Sequence, residues 1–276
     1  VSADVSVVVV SWNVRGPILE CLASVCAEVA GLSAEVFVVD NGSEDGSAAA
    51  VRESFPGVRV IETGANVGFA LAANVGLREA TGRALLLLNP DARLLPGALG
   101  SLLGALRALP DAGICVPLLR HPDGSPQPSW ARFPGVRAEW TGRLDRSQAP
   151  APPTALAGAA PFPVDWVGGA CLLARREAVE AVGLLDERFF LYGEDVEWCH
   201  RMLRGGWRTY LVPAAAAVHH GGMSAAQVSP AETRRRLYAA RLRLYRALYG
   251  PVGALAPSAV AAARYAAGRL LRRGRA

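Results

Sequence analysis

Four short constellations in this 276-residue chain carry side chains that could do chemistry. Leu85-Leu86-Leu87-Leu88 runs straight into Asn89-Pro90-Asp91. An apolar run with the composition of a buried strand thus ends in a carboxylate, and ligands of open α/β sheets collect outside the carboxyl ends of the strands. A carboxylate there can hold a divalent cation against the phosphates of a nucleotide, although Asn, Pro and Asp also suit an ordinary turn. Asp40-Asn41-Gly42-Ser43-Glu44-Asp45 follows another apolar run. Its first carboxylate can accept a hydrogen bond from a base N3–H or a ribose hydroxyl, while Ser43 or Asp45 can cap the next helix. Glu194 and Asp195 stand among Phe189, Phe190, Tyr192 and Trp198. They would open a helix, where carboxylates suit the dipole, and their apolar setting would raise a carboxylate's pKa toward that of a general base. Finally, His219-His220-Gly221-Gly222 holds two of the chain's four histidines after an apolar run.

Such residues need elements to place them. Val5 to Ser11 is continuous and β-branched, as expected of a strand buried on both faces. Pro17 to Val29 reads as a helix, with Pro near its start and apolar residues at three- and four-residue spacing. A strand Glu35 to Val39, a helix Gly46 to Ser54, a strand Val58 to Glu62, a helix Phe69 to Ala80 and a strand Ala84 to Leu88 follow. Repeated βα units predict an α/β fold with a mostly parallel sheet between helices. From Leu109 to Pro163 the pattern breaks into a proline-rich stretch, read as a functional loop or lid. Apolar, strand-like sequence resumes from Trp166 to Ala174, a helix is expected from Glu194 to Leu203, and the segment from Pro230 onward reads as helical. The expected organisation is a single domain over 1–228 and a basic amphipathic helical segment over 229–276. Within the domain, 1–118 form one half, 119–164 the loop or lid, and 165–228 the other half.

Composition narrows the classes. Half the residues are apolar (51%) and 19% are charged, which describes a folded chain and not a disordered one. The net charge of +5 comes entirely from arginine on the basic side, and eleven arginines lie between 234 and 275. The body is therefore net acidic. That argues against a nucleic-acid groove and for a basic tail with its own partner, such as an anionic membrane surface. Arg264 and Arg269 interrupt the last apolar stretch, so a transmembrane span is not expected. The five cysteines have no zinc-ligand spacing and read as buried thiols. No signal-peptide pattern precedes the first strand, which leads to an expectation of a cytoplasmic protein, peripheral on the membrane at most. Gly-x-Gly-x-x-Gly is absent after the first strand, and Gly-Lys-Ser/Thr is absent throughout, so a dinucleotide-binding Rossmann site and a P-loop NTPase are both poorly supported.

Taken in order, Val7-Val8-Val9-Val10-Ser11-Trp12-Asn13, Val38-Val39-Asp40-Asn41-Gly42-Ser43, Asn66-Val67-Gly68-Phe69-Ala70 with Asn74, and Leu88-Asn89-Pro90-Asp91 resemble family 2 of the inverting glycosyltransferases with the GT-A fold, in particular its rhamnosyltransferase-like branch. The resemblance runs from about Val5 to Ser224. It implies that Asp40 binds the base or ribose of a nucleotide-sugar donor, that Ser11 and Asn13 line the same pocket, and that Asn66 and Asn74 support it. Asn89 and Asp91 stand where the family has Asp-x-Asp, so one anionic ligand remains. Asn89 can still offer a carbonyl oxygen or bind sugar hydroxyls. The resemblance assigns the catalytic base to Asp195. Glu194 and Trp198 fall on the acceptor side with Gly168 and Gly169, whose lack of side chains lets a sugar approach the backbone. His219 maps to a metal-ligating histidine, with His220 as its fallback one residue on. Asp91, one histidine and diphosphate oxygens would make a mixed O/N site suited to Mg²⁺ or Mn²⁺.

What the resemblance implies is a single in-line displacement. An acceptor hydroxyl, deprotonated by Asp195, attacks the anomeric carbon while a nucleoside diphosphate departs. The donor expected from the branch is dTDP-L-rhamnose, with a UDP-sugar next, and the acceptor a glycan, lipid-linked or small-molecule hydroxyl. Two other readings stay open on the residues alone. A sugar nucleotidyltransferase would need a Gly-rich loop with Arg or Lys after the first strand, of which Ser11 to Gly16 is a poor version. A non-catalytic nucleotide-sugar or glycan-binding module is motivated by Asn89.

Overall fold

Valine and leucine runs without polar alternation belong between two layers of helices, and β1 (Val5–Ser11) is buried at every position. The computed structural model describes residues 3–143, 155, 156, 158–223 and 227–273, with side chains to 267. Part of the proline-rich stretch (144–154 and 157), Ser224 and the extreme C-terminus lie outside the described residues. After β1 the chain runs through α1 (Arg15–Glu28), β2 (Ala34–Asp40), α2 (Ser47–Ser54), β3 (Arg59–Glu62), α3 (Phe69–Glu79), β4 (Ala84–Leu88), β5 (Ala92–Leu94), α4 (Ala98–Ala108) and β6 (Ala112–Arg120). It continues through β7 (Pro126–Gln127), β8 (Trp130–Ala131), α5 (Val136–Thr141), β9 (Phe162–Val164), β10 (Trp166–Val167), β11 (Cys171–Arg175) and α6 (Arg176–Val182). The last elements are α7 (Glu194–Arg204), β12 (Arg208–His219), α8 (Pro230–Gly253) and α9 (Leu255–Arg273).

The result is an α/β fold around a ten-stranded sheet whose main path is β3-β2-β1-β4-β11-β6-β12-β5. The first four strands are parallel, as the βα repeats require. Beyond them the sheet is mixed, because β11 inserts antiparallel between β4 and β6. Alternate β1 side chains feed two cores, Val5, Val7 and Val9 on the α1 and α4 face and Val8 and Val10 on the α3 and α7 face.

The structure corrects three sequence expectations. The pattern does not break at Leu109, since β6 is a nine-residue strand buried through its first eight positions. Pro117 masks it, and the strand tolerates this proline because β12 carries a register shift just beyond its partner Val212. The apolar run from Trp166 to Ala174 is not one strand. Gly168-Gly169-Ala170 divides it, so that β10 joins β8 in a separate two-stranded sheet while β11 enters the main one. Cys26 is exposed and not buried, because the buried face of α1 is Ile18, Cys21, Leu22 and Val25; all five thiols are free.

The C-terminal segment is helical and docked. Leu244 and Leu248 of α8 pack on Phe189 and Val196, and Tyr245 donates 2.7 Å to the buried Glu139 carboxylate of α5. Helix α8 is broken at Gly250, before Pro251, and α9 folds back so that Tyr265 stacks on Tyr238 at 4.4 Å. No described helix is long and apolar enough to cross a membrane.

Candidate active site

A cavity of about 400 Å³ opens beyond the carboxyl end of β4. Among the residues lining it are Asn66, Asn89, Asp91, Gly169, Asp195 and His219, which come from sequence positions more than 150 apart.

Tertiary pairing builds one wall. The turn after β4 is fixed by Asn89 N–H donating to Ala170 O at 2.9 Å and by Ala92 N–H donating to Asn89 O at 3.1 Å. β5 then pairs antiparallel with the end of β12, setting His219 opposite Ala92. His220 N–H donates to Asp91 O at 3.1 Å, and the Asp91 carboxylate comes 3.4 Å from His219 Nε2. Both side chains are largely buried. On the other side of the ring, His219 Nδ1 lies 2.9 Å from Gln127 Oε1, and the Gln127 amide nitrogen reaches His121 Nδ1 at 3.1 Å. The amide oxygen assigns a proton to Nδ1, which leaves Nε2 facing Asp91. Burial pushes the Asp91 carboxyl up, but the hydrogen bond and charge of His219 and nearby backbone N–H groups outweigh it and hold it below the usual range.

Helix α7 builds the second cluster. Gly193, in the left-handed region at φ 93°, turns the chain so that Glu194 and Asp195 start the helix. Asp195 accepts from Gly169 N–H at 2.9 Å and from Val196 N–H at 2.8 Å. Burial raises its pKa, and those backbone donors oppose the rise. Glu194 is pushed up to about 8 by burial and by the neighbouring Asp195 charge. Its Oε2 is buried without a hydrogen-bond partner among the described residues. Both carboxyls are thus raised, and two backbone N–H groups hold the Asp195 carboxylate while Glu194 Oε2 has no such donor. Tyr192, on the same wall, has φ 72°, a conformation rare for a bulky residue. Gly168 and Gly169 both line the cavity, and a Cβ on either would make only ordinary contacts. Their absent side chains leave space and relieve no clash.

At the β1–β2 end, Asn41 ties the loops together. It donates through Nδ2 to Asn66 Oδ1 (3.2 Å), and its Oδ1 accepts from Val67 N–H (2.9 Å). Gly42 at φ 77° and Gly68 at φ 91° are required there, since a Cβ would sit 2.7 Å from Ala65 backbone and from Phe190 O respectively.

Several sequence-picked residues fall outside the cavity wall. Asp40 is buried and accepts from Ser43 N–H at 3.0 Å, and the Ser11 hydroxyl is buried without a partner among the described residues. Asn13 holds the β1–α1 loop to the next one, accepting from Glu44 N–H at 2.7 Å. Asn74 binds Leu185 O at 2.8 Å and Glu187, which anchors the chain leading to α7. Trp198 is turned into the core, donating to Gly183 O at 3.0 Å, because it lies on the inner face of α7. His220 is the exposed-side neighbour and does not line the cavity. Sequence reasoning missed Trp12, Gln127 and Arg236, all of which do. Gln127 lies in the stretch expected to be a loop or lid, and Arg236 in the basic tail expected to meet a partner of its own. Neither had a local signal.

Residues 6–183 match the description "Glycosyl transferase family 2", which covers more than half of the chain. The chain belongs to glycosyl transferase family 2. Over 247 residues this glycosyltransferase is 34% identical to an N-acetylglucosaminyl-diphospho-decaprenol L-rhamnosyltransferase of Mycobacterium tuberculosis (strain CDC 1551 / Oshkosh), covering 79% of this chain and 76% of that protein. It is 26% identical over 230 residues to a low-salt glycan biosynthesis hexosyltransferase of Haloferax volcanii, covering 79% of this chain and 67% of that one. Two solved structures share the fold. GalNAc-T7 with UDP, GalNAc and Mn²⁺ aligns with a TM-score of 0.61 at 18% identity, over 79% of this chain but only 44% of that longer one. A mannosyltransferase from Pyrobaculum calidifontis in complex with GDP-Man and Mn²⁺ gives 0.53 at 22% identity, over 98% and 81%.

Among the described residues no three His, Cys, Asp or Glu side chains converge as a complete metal cage. The glycosyltransferase nevertheless has a donor set that fits a divalent cation in part. His219 Nδ1 faces Gln127 Oε1, and Nε2 faces both the Asp91 carboxylate and the Asn89 amide nitrogen, each at 3.4 Å, so Asn89, Asp91 and His219 converge at one point of the cavity wall. A cation held by Asp91 and His219 would keep further coordination positions open to other oxygens.

Proposed function

We propose that this enzyme transfers L-rhamnose from dTDP-L-rhamnose, or failing that a hexose from a UDP-sugar, to a hydroxyl of a lipid-linked glycan, with inversion in one displacement. The observation that carries the reading is the anchored Asp195 carboxylate lining the same cavity as Asp91 and His219. Asp195 takes the proton of the acceptor hydroxyl, and the Gly169 and Val196 N–H groups hold its carboxylate in the orientation to do so. Glu194, protonated beside it, donates a hydrogen bond to a sugar oxygen. Asp91 and His219 would hold Mg²⁺ or Mn²⁺, which when bound neutralises charge on the diphosphate as a Lewis acid. Asn89 contributes its amide to the donor. Support for the sugar and acceptor comes from the name of the mycobacterial relative. The arginine-rich C-terminal helices suit the cytoplasmic face of an anionic membrane, where a lipid-linked acceptor lies.

The test is Asp195→Asn, assayed with dTDP-L-rhamnose and a lipid-linked N-acetylglucosamine acceptor. Donor binding should persist while transfer falls by about 10²–10⁴. Transfer near the wild-type rate would remove Asp195 from the role. Thermal unfolding with dTDP, UDP, GDP and ADP, each with and without Mn²⁺, identifies the base by the diphosphate that stabilises most.

A further inference from the structure

The sequence predicts a basic amphipathic segment over 229–276, and one of the arginines of its first helix, α8, lines the cavity. Among the described residues Arg236 is the one guanidinium lining it, in a wall that also carries the carboxyls of Asp91, Glu194 and Asp195. Its orientation is fixed twice. Nε donates to Glu232 Oε1 at 2.8 Å one turn earlier, and the guanidinium lies over the Phe190 ring, 4.7 Å from its centroid. The two terminal nitrogens have no hydrogen-bond partner among the described residues, and the side chain is only 27% exposed. Arg235 also binds Glu232, but it is 73% exposed and does not line the cavity. A stacked guanidinium with its outer edge unused presents a rigid fork of the shape that grips two phosphate oxygens at once.

We propose that Arg236 is the diphosphate-binding cation of this cavity, supplied by the C-terminal helix; the assignment rests on the glycosyltransfer reading above. A diphosphate entering beside the Asp91 and Asp195 carboxyls meets repulsion from their charged forms that a fixed guanidinium offsets. Phe190, on which Arg236 stacks, also accepts from Phe69 N–H at 2.7 Å and precedes Gly193 and the Glu194–Asp195 pair. Arg236 thus fastens the helix to the loop that aims the base. The same chemistry occurs in two ligands, the nucleoside diphosphate of the donor and the lipid diphosphate of an acceptor.

Isothermal titration of the full chain with dTDP, thymidine and farnesyl diphosphate separates them, using wild type, Arg236→Gln, Arg236→Lys and Arg235→Gln. Arg236→Gln should weaken at least one diphosphate about 10- to 100-fold and leave thymidine unchanged. Arg236→Lys, which keeps the charge without the fork, should lose less, and it carries the test if the glutamine variant does not fold. Arg235→Gln should bind all three as wild type does. Loss confined to dTDP assigns the donor; loss confined to farnesyl diphosphate assigns the acceptor; either supports the proposal. Wild-type diphosphate binding by Arg236→Gln overturns it and leaves the glycosyltransfer reading standing. Equal losses in Arg235→Gln and Arg236→Gln also overturn it, because the Glu232 pair would then be only a helix staple. A wild-type protein that binds neither diphosphate overturns both readings.

Discussion

At the β1–β2 end of the cavity, Asn41 gives its amide to Asn66 and accepts from Val67, while Asp40, Ser43, Asn13 and Glu44 bond one another across two neighbouring loops. At the α7 end, Glu194 leaves one carboxyl oxygen buried and unpartnered, Tyr192 holds a left-handed conformation, and Asp195 stands at a helix start. Apart from the buried Ser11 hydroxyl, the first end consumes these polar groups in holding its own shape. The second keeps polar capacity in reserve, and unmet hydrogen bonds and backbone strain persist only where surrounding structure enforces them. Substitutions should therefore cost stability at one end and activity at the other.

The sharpest way to break that contrast is at the pairing of β5 with β12. His219→Ala should abolish the tightening of nucleoside diphosphate binding by Mn²⁺ and reduce transfer by more than about a hundredfold, because a ligand matters more than the groups that orient it. Equal binding with and without Mn²⁺ in the wild type would remove the metal role. Gln127→Leu probes the orienting group. Metal affinity should fall by about 10- to 100-fold with thermal stability nearly unchanged, as read by Mn²⁺ titration. At the opposite end, Asn41→Ala should lower unfolding free energy by about 1–3 kcal/mol in urea titration, since Val67 N–H loses its acceptor. A variant as stable as wild type would show that this network does not hold the loops.

The smallest effect concerns Glu194→Gln. The folded state raises this acid from 4.5 to about 8, so the native protein keeps a proton that the unfolded chain releases. Stability then falls as pH rises from about 4.5 to about 8, and the glutamine variant should flatten that decline. Parallel melting curves for the two proteins between pH 5 and 9 would rule the shift out. For Asp195 the raised pKa predicts that transfer fails on the acid side at a higher pH than an ordinary carboxylate would give.

Much of this was legible without coordinates. The β1, β2 and β4 runs announced a buried parallel sheet because strands between helix layers carry uninterrupted apolar residues. The Asn-Pro-Asp turn, the Glu-Asp pair and His219 were found because each sits at an abrupt change from apolar to polar sequence. Trp198 was misjudged because aromatic composition does not say which face of a helix a residue occupies. β6 was missed because Pro117 reads as a breaker until the irregularity in β12 beside it is known.

By itself the sequence determined the α/β class, the family and the local chemistry of each motif, since periodicity and turn residues act over a few positions. Tertiary structure alone decided which motifs meet. His219 reaches Asp91 through the β5–β12 ladder, Gly169 anchors Asp195 across 26 positions, and Arg236 lines the cavity from a helix whose composition points only to a basic tail with a partner of its own. Those meetings depend on strand order and helix docking, which are set by burial summed over the whole core and leave no mark on the few residues that come together.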